Sequence, residues 1–334
     1  MNATEDTPSK PHGISRREAL VKVLRLGALG TGVAALGAWL SGRSSRPVEA
    51  VLTNVKRSHT VAPDARFPDM VIVEGGEPAQ LAQAALRELG GIDRFISRGD
   101  VVLVKPNIGW DRTPEQAANT NPELVAEIVR QCLHAGAKKV IVADVSCNDA
   151  RRCYQRSGIA EASRQAGAEV LLPDPNSFKE VDLEGEVLRN WQVFEPFLLA
   201  NKIINVPIAK HHSLSGATIG MKNWFGMLGG QRNQLHQHIH ESLADLADFV
   251  RPTLTVVDCY RVLIRNGPTG GSLEDVQLHK TLVAGTDPVA IDAYVAKTFW
   301  NMSVDSMPYL KLASQRGLGT YELEKVSSKS VKLA

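Results

Sequence analysis

The regular exchange of short apolar runs with helix-patterned segments constrains this chain more than any other feature. Residues 101–104 are apolar without a break, Val-Val-Leu-Val, which suits a strand buried on both faces. Residues 70–73, 140–143 and the three-residue runs 170–172 and 282–284 are apolar in the same way, and 202–206 and 254–257 read as strands with polar residues among the apolar ones. Helix punctuation lies between them. Asn121 precedes Pro122 and Glu123, the order of an N-cap, a first-position proline and a first-turn acid, and Gly136 closes that helix. Segments 78–89 and 159–166 also stop at glycines, 243–249 stops before Pro252, and 288–300 and 308–315 open on prolines. Strands alternating with helices predict βαβ units. The expected fold is therefore α/β, a mainly parallel sheet flanked by helices. Residues 173–191 read as a β-excursion, and 207–280 leave room for an inserted subdomain.

The first fifty residues have a different character. Ser15, Arg16, Arg17, Glu18, Ala19, Leu20, Val21 and Lys22 resemble the twin-arginine export signal. An apolar, Gly/Ala-rich stretch over 24–40 follows, interrupted by Arg25 and weaker than the ~20 apolar residues of a membrane helix. Val48, Glu49 and Ala50 offer a small-residue cleavage site, with an uncleaved anchor as the alternative. The expected organisation is a signal or anchor over 1–50, a linker over 51–68 and one α/β domain over 69–325. It places the domain in the periplasm, free or anchored, with the twin-arginine translocase as export partner and a periplasmic redox protein as a second partner. That pathway carries folded proteins, many with a cofactor, which raises the case for a bound metal or organic group. An oxidising compartment also permits a Cys147–Cys153 disulfide.

Composition narrows the partners. The 334 residues carry a formal net charge of +2, and aromatics make up 5%, so neither a domain-wide basic surface nor a base-stacking platform for nucleic acid is present. Dinucleotide and P-loop fingerprints are missing, as is the G-x-S-x-G elbow of serine hydrolases.

The polar residues gather after strands, where α/β proteins bind ligands. Lys105 and Asn107 follow the run 101–104, Lys210, His211 and His212 follow 202–206, and Asp258 follows 254–257. Pro106 and Pro207 stiffen two of those exits. Lys222 and Asn223 lie in a loop flanked by Gly220 and Gly226. If the strands are parallel neighbours, these groups converge. Lys105, Lys210 and Lys222 would hold a small anion with Asn107 and Asn223 as hydrogen-bonding partners, and a buried lysine can also take a lowered pKa suited to base or imine chemistry.

Of 9 histidines, five fall at 211, 212, 236, 238 and 240. His236 and His240 share a helix face, while His236 and His238 share a strand face, and His212 could complete a three-ligand metal site. The alternatives are proton transfer or anion contact, and a solvated Gln-rich loop. Asp287 before Pro288 reads as a helix N-cap or a ligand-binding acid. Asp292, one turn on, would be costly to bury unpaired.

Four separated segments carry a family resemblance: Val104 to Asn107, Asn205 to Gly230, Asn266 to Gly270 and Ala284 to Asp292. Together they resemble the family known as domain of unknown function 362, across about 101–300. The resemblance implies an α/β fold and no settled activity. It supports His212 within a Lys-x-His segment, and His236 or His238 as the histidine following its Lys-Asn-x-x-Gly segment. Some relatives append a ferredoxin-like cluster domain. The four cysteines here include no C-x-x-C run, so that appendage is not expected. The functional expectation is an exported enzyme, dependent on a metal or redox cofactor, acting on a small anionic substrate through Lys210, His212 and Lys222. The alternative is a periplasmic factor that binds or delivers a ligand, metal or cluster.

Overall fold

A computed structural model describes residues 51–334 apart from 56 and 57. The export signal, its cleavage site and the anchor alternative lie outside the described residues. Val51–Ala334 form one unit.

Twelve strands are formed among the described residues: β1 (Met70–Glu74), β2 (Val101–Pro106), β3 (Lys139–Ala143), β4 (Glu169–Leu171), β5 (Phe178–Asp182), β6 (Asn190–Phe194), β7 (Lys202–Val206), β8 (Ile208–His212), β9 (Gly216–Thr218), β10 (Leu254–Leu263), β11 (Val276–Gly285) and β12 (Ser328–Lys332). Ten of them make one sheet in the order β12-β1-β11-β10-β7-β2-β3-β4, with β8 paired to β10 and β9 to β8. Strands β10, β7, β2, β3 and β4 run parallel, as the apolar runs predict. Strand β11 opposes both β10 and β1. It returns directly from β10 as a hairpin, in register from Leu263↔Val276 to Thr255↔Gly285 with one irregularity, which the apolar run 282–284 alone does not reveal.

Alternation along the strands splits the apolar residues between two faces. Val102, Val104, Val140, Val142 and Ile204 pack under helices α1 (Pro78–Glu88), α2 (Pro122–His134), α3 (Ala150–Arg156) and α4 (Ile159–Gln165). Leu103, Ile141, Ile203, Val257 and Val283 face the other side. There a short α5 (Pro196–Leu199) and helices α6 (Ile239–Val250), α7 (Pro288–Trp300) and α8 (Pro308–Gln315) cover them. Each fully buried aliphatic side chain is worth about 1.5–3 kcal/mol over its exposed state, so both faces anchor the sheet and hold its strand ends still. The α2 start forms as read: Asn121 Oδ1 accepts from Glu123 N at 2.9 Å and Leu124 N at 3.4 Å.

Three expectations are corrected. Residues 207–280 are not a separate subdomain, because β10 is a central strand and β8 pairs with it. The stretch expected to link is laid onto the domain: Leu52 N donates to Glu180 O at 2.8 Å, and buried His59 places Nδ1 2.9 Å from Asn201 O. The domain also runs past 325, since β12 lies parallel to β1. The excursion at 173–191 is an antiparallel pair, β5 with β6. Among the described residues no helix is long and apolar enough to cross a membrane.

Candidate functional site

The parallel ends of β2, β7 and β10 bring Lys105, Asn107, Lys210 and the 3-10 stretch Lys222–Met227 together. Lys105 is fully buried, and its ammonium donates to Asp144 Oδ1 at 2.6 Å, Pro106 O at 2.8 Å and Asn223 Oδ1 at 3.0 Å. Burial lowers its pKa and the Asp144 carboxylate opposes that shift. An ammonium has three protons to give, so these acceptors leave none for a ligand. Lys105 is therefore a brace rather than the ligand-binding residue expected of it.

Asn223 is likewise spent. Its Oδ1 accepts from Lys105 Nζ and, at 3.0 Å, Asn107 Nδ2, while its Nδ2 donates to Asn205 Oδ1 at 2.9 Å and Lys105 O at 3.2 Å. It ties three segments together and has no capacity left for a substrate. Asn107 passes the network on, with Oδ1 accepting from Lys210 Nζ at 2.9 Å.

Lys210 and Lys222 differ from Lys105. Lys210 donates twice, to Asn107 Oδ1 and to Ala118 O at 2.5 Å, which leaves one proton. Lys222 is 7% exposed and has no hydrogen-bond acceptor among the described residues; its Nζ stands 3.5 Å from the Phe225 ring centroid. Burial brings both amines down to about 7; Cys147, and for Lys210 also Asp144, oppose the shift, while neighbouring cations add to it. For Lys222 those cations are Arg232, Lys210 and Lys105.

The histidines divide. His212, 6% exposed, accepts at Nδ1 from Leu214 N at 3.2 Å and Ser215 N at 3.4 Å. Two backbone donors at Nδ1 put the ring proton on Nε2. Burial and then the charge of Lys222 hold its pKa down at about 3, so it is a neutral hydrogen-bond donor. His236 has the opposite tautomer: Nδ1 lies 3.1 Å from Asn233 O, a carbonyl that can only accept, so Nε2 keeps its lone pair. Burial and Lys222 also lower its pKa. The two rings stack at 5.8 Å between centroids and 10° apart, with Phe225 edge-on to His236 at 5.3 Å.

His238 is exposed and contributes nothing to this pair. The three-histidine metal set is not formed. Among the described residues no three His, Cys, Asp or Glu side chains are grouped to hold a metal. His212 gives the physical reason. A metal-bound histidine donates its second ring N–H outward, whereas this ring accepts there.

The expected acids hold backbone instead of ligand. Asp258 accepts from Asn121 N at 2.7 Å and Tyr260 N at 3.0 Å, and burial raises it to about 6. Asp287 is the N-cap of α7, taking Val289 N, Ala290 N and Thr320 N. Asp292, fully buried and raised to about 7 by burial, accepts from Gly220 N at 2.8 Å and Met221 N at 3.0 Å. It thus clamps the backbone that leads directly into Lys222.

Two residues enter the site that spacing alone did not single out. Arg232 Nη1 donates to Phe225 O, and Nη2 to Ser146 O, both at 2.9 Å, with Cys147 Sγ 3.4 Å from Nη2. Cys147 is exposed and free, and Cys153 is buried and free, so the disulfide considered for them is not formed. Arg232 belongs to the Gln-rich segment, where composition suggests solvent exposure and hides its aim back at β3.

The family model for domain of unknown function 362 matches residues 102–297. The chain belongs to that family. A thylakoid-associated protein of Synechocystis sp., sll1697, is 25% identical to this member over 261 residues, 74% of this chain and 76% of the cyanobacterial one. Among solved structures, the lactate racemase apoprotein from Thermoanaerobacterium thermosaccharolyticum aligns with a TM-score of 0.39 at 13% identity, over 66% of this chain and 55% of its own. A Thermotoga maritima protein aligns at 0.36 and 11%, over 72% and 60%. This family member thus spans little more than half the length of either solved chain.

Proposed function

We propose that this member of the domain of unknown function 362 family is an enzyme acting on a small anionic substrate, bound at Lys210, Lys222 and Arg232. The observation that carries the reading is a buried excess of positive charge. Asp144 is the only carboxylate hydrogen-bonded into this network among the described residues, and its oxygens are taken by Lys105 Nζ and, at 2.6 Å, Ile108 N. A buried cation without a counterion costs several kcal/mol, and a bound carboxylate or phosphate would repay that cost.

The histidine pair supplies the chemistry. His212 offers a proton at Nε2 and His236 a lone pair at Nε2, so a bound oxyanion can receive a hydrogen bond from His212, and a bound hydroxyl can also give its proton to His236. A near-neutral amine at Lys222 is matched to proton transfer at ordinary pH. The tautomer of His212 favours a donor to substrate over a metal ligand, so the proposal places anion binding before metal chemistry. Export by the twin-arginine translocase remains part of it, supported by the sequence over 15–22, and cell fractionation of the full chain tests it.

Calorimetric titration with inorganic phosphate tests the anion site. Binding to the wild-type chain is expected, weakened roughly ten- to hundredfold in Lys210→Met, the worth of one charge-assisted hydrogen bond. A thermal melt checks that the variant is folded. Wild-type protein that is folded and binds no anion overturns the reading.

A further inference from the structure

The three lysines at the site are not equivalent, and the difference is chemical. Lys105 fills all its donor capacity and Lys210 all but one proton. Lys222, buried but for 7% of its surface, has no acceptor among the described residues, lies against the face of Phe225 and feels Arg232, Lys210 and Lys105 as neighbouring cations. Only the ring face and Cys147 favour its positive charge, and burial outweighs them. Desolvation next to other cations is how a lysine becomes a nucleophile. The backbone before it is fixed by Asp292 through Gly220 and Met221, so the loop that carries the amine is held in place.

We propose that Lys222 forms an imine with the carbonyl carbon of a small oxo-acid whose carboxylate is held by Lys210 and Arg232. The inference rests on the anion-site reading and names its substrate class. The nitrogen lone pair forms the C–N bond as the carbonyl π bond breaks; the C–O σ bond of the carbinolamine then breaks as nitrogen forms the second bond to carbon, and both hydrogens of the departing water come from the amine. Solvent supplies the proton that makes the imine cationic. His212, donating at Nε2, is suited to the developing oxygen charge of the carbinolamine. Asp292 is a positioning residue in this scheme, acting through the backbone of the loop.

Glyoxylate with sodium cyanoborohydride tests it on the full chain. Hydride adds to the imine carbon and leaves a stable carboxymethyl group on nitrogen, which peptide mass spectrometry locates. An ordinary lysine is free base in only about one molecule in a thousand at neutral pH. Labelling of Lys222 is therefore expected to exceed that of surface lysines by roughly a hundredfold, and inorganic phosphate should suppress it. No variant is needed, so misfolding cannot imitate the result. Phosphate binding without an adduct at Lys222 overturns the imine and leaves the anion site standing. An adduct on Lys210 instead overturns the assignment to Lys222. Absence of both binding and adduct overturns both readings.

Discussion

Gly226→Ala probes whether the buried network is as tight as its distances imply. Gly226 has no left-handed φ, so the substitution strains no backbone and acts only through the added methyl. That methyl would overlap Asp144 Oδ1 and come within 2.6 Å of Lys105 Nζ. Two escapes exist. Asp144 could leave Lys105, which breaks a buried ion pair at a cost of about 3–5 kcal/mol. Alternatively the 222–227 stretch could move outward, at about 1–3 kcal/mol for overpacking. The second is cheaper but not free, because Gly226 O holds Val145 N at 2.8 Å and Phe225 O holds Arg232. The expected loss is thus about 2–3 kcal/mol, read from urea unfolding midpoints. Gly109→Ala is the control: its methyl would meet Asn107 Oδ1 at 3.4 Å and Cys147 Sγ at 3.9 Å, with an expected change within about 0.5 kcal/mol. In an Asp144→Ala background the cost of Gly226→Ala should drop below about 1 kcal/mol, since the overlapped atom is gone. Equal midpoints for Gly226→Ala and Gly109→Ala, or no coupling to Asp144, would refute the packing argument.

Two further perturbations address pH and positioning. Asp292→Asn replaces one of two carboxylate acceptors by an amide that faces a backbone N–H, so a loss of about 1–3 kcal/mol is expected, together with weaker phosphate binding through the displaced Lys222; unchanged binding in a destabilised variant would separate the clamp from the site. His212, held neutral with a pKa of about 3 against 6.5 for the free ring, binds fewer protons folded than unfolded between those values. Its contribution to stability is therefore full above about 6.5 and lost as pH falls towards 3. The acid limb of the stability profile should flatten in His212→Gln, and an unaltered slope would contradict the tautomer assigned from Leu214 and Ser215.

The sheet was largely legible because its signal is local. Runs such as 101–104 must be buried on both faces, and Asn121 with Pro122 can hardly do other than start a helix. Strand β11 escaped because a hairpin partner and a parallel neighbour present the same short apolar run. The site was legible as a gathering and not as a division of labour. Spacing puts Lys105, Lys210 and Lys222 near one another, but only distances show which has spent its protons. The same holds for Asn223, whose four bonds are long-range or to backbone, whereas the N-cap role of Asp287 is legible from Pro288 and only its bond from Thr320 N is not. The imidazole tautomers depend on Leu214, Ser215 and Asn233 backbone groups, whose placement no histidine count conveys. Arg232 reads as solvated from its Gln-rich surroundings and reaches the site only through the turn of 232–238.

The most direct test is proton uptake on anion binding. Lys210 and Lys222, each near 7 in the free protein, would be pulled towards the charged form by a bound anion. Titrations at about pH 7.5 with sulfate, an anion of fixed charge in this range, in two buffers of different ionisation enthalpy should give heats that differ by a net uptake of protons, and affinity should fall as pH rises through that range. Binding heats independent of the buffer, with affinity flat from pH 6 to pH 9, would contradict the claim that buried, near-neutral lysines form the anion site.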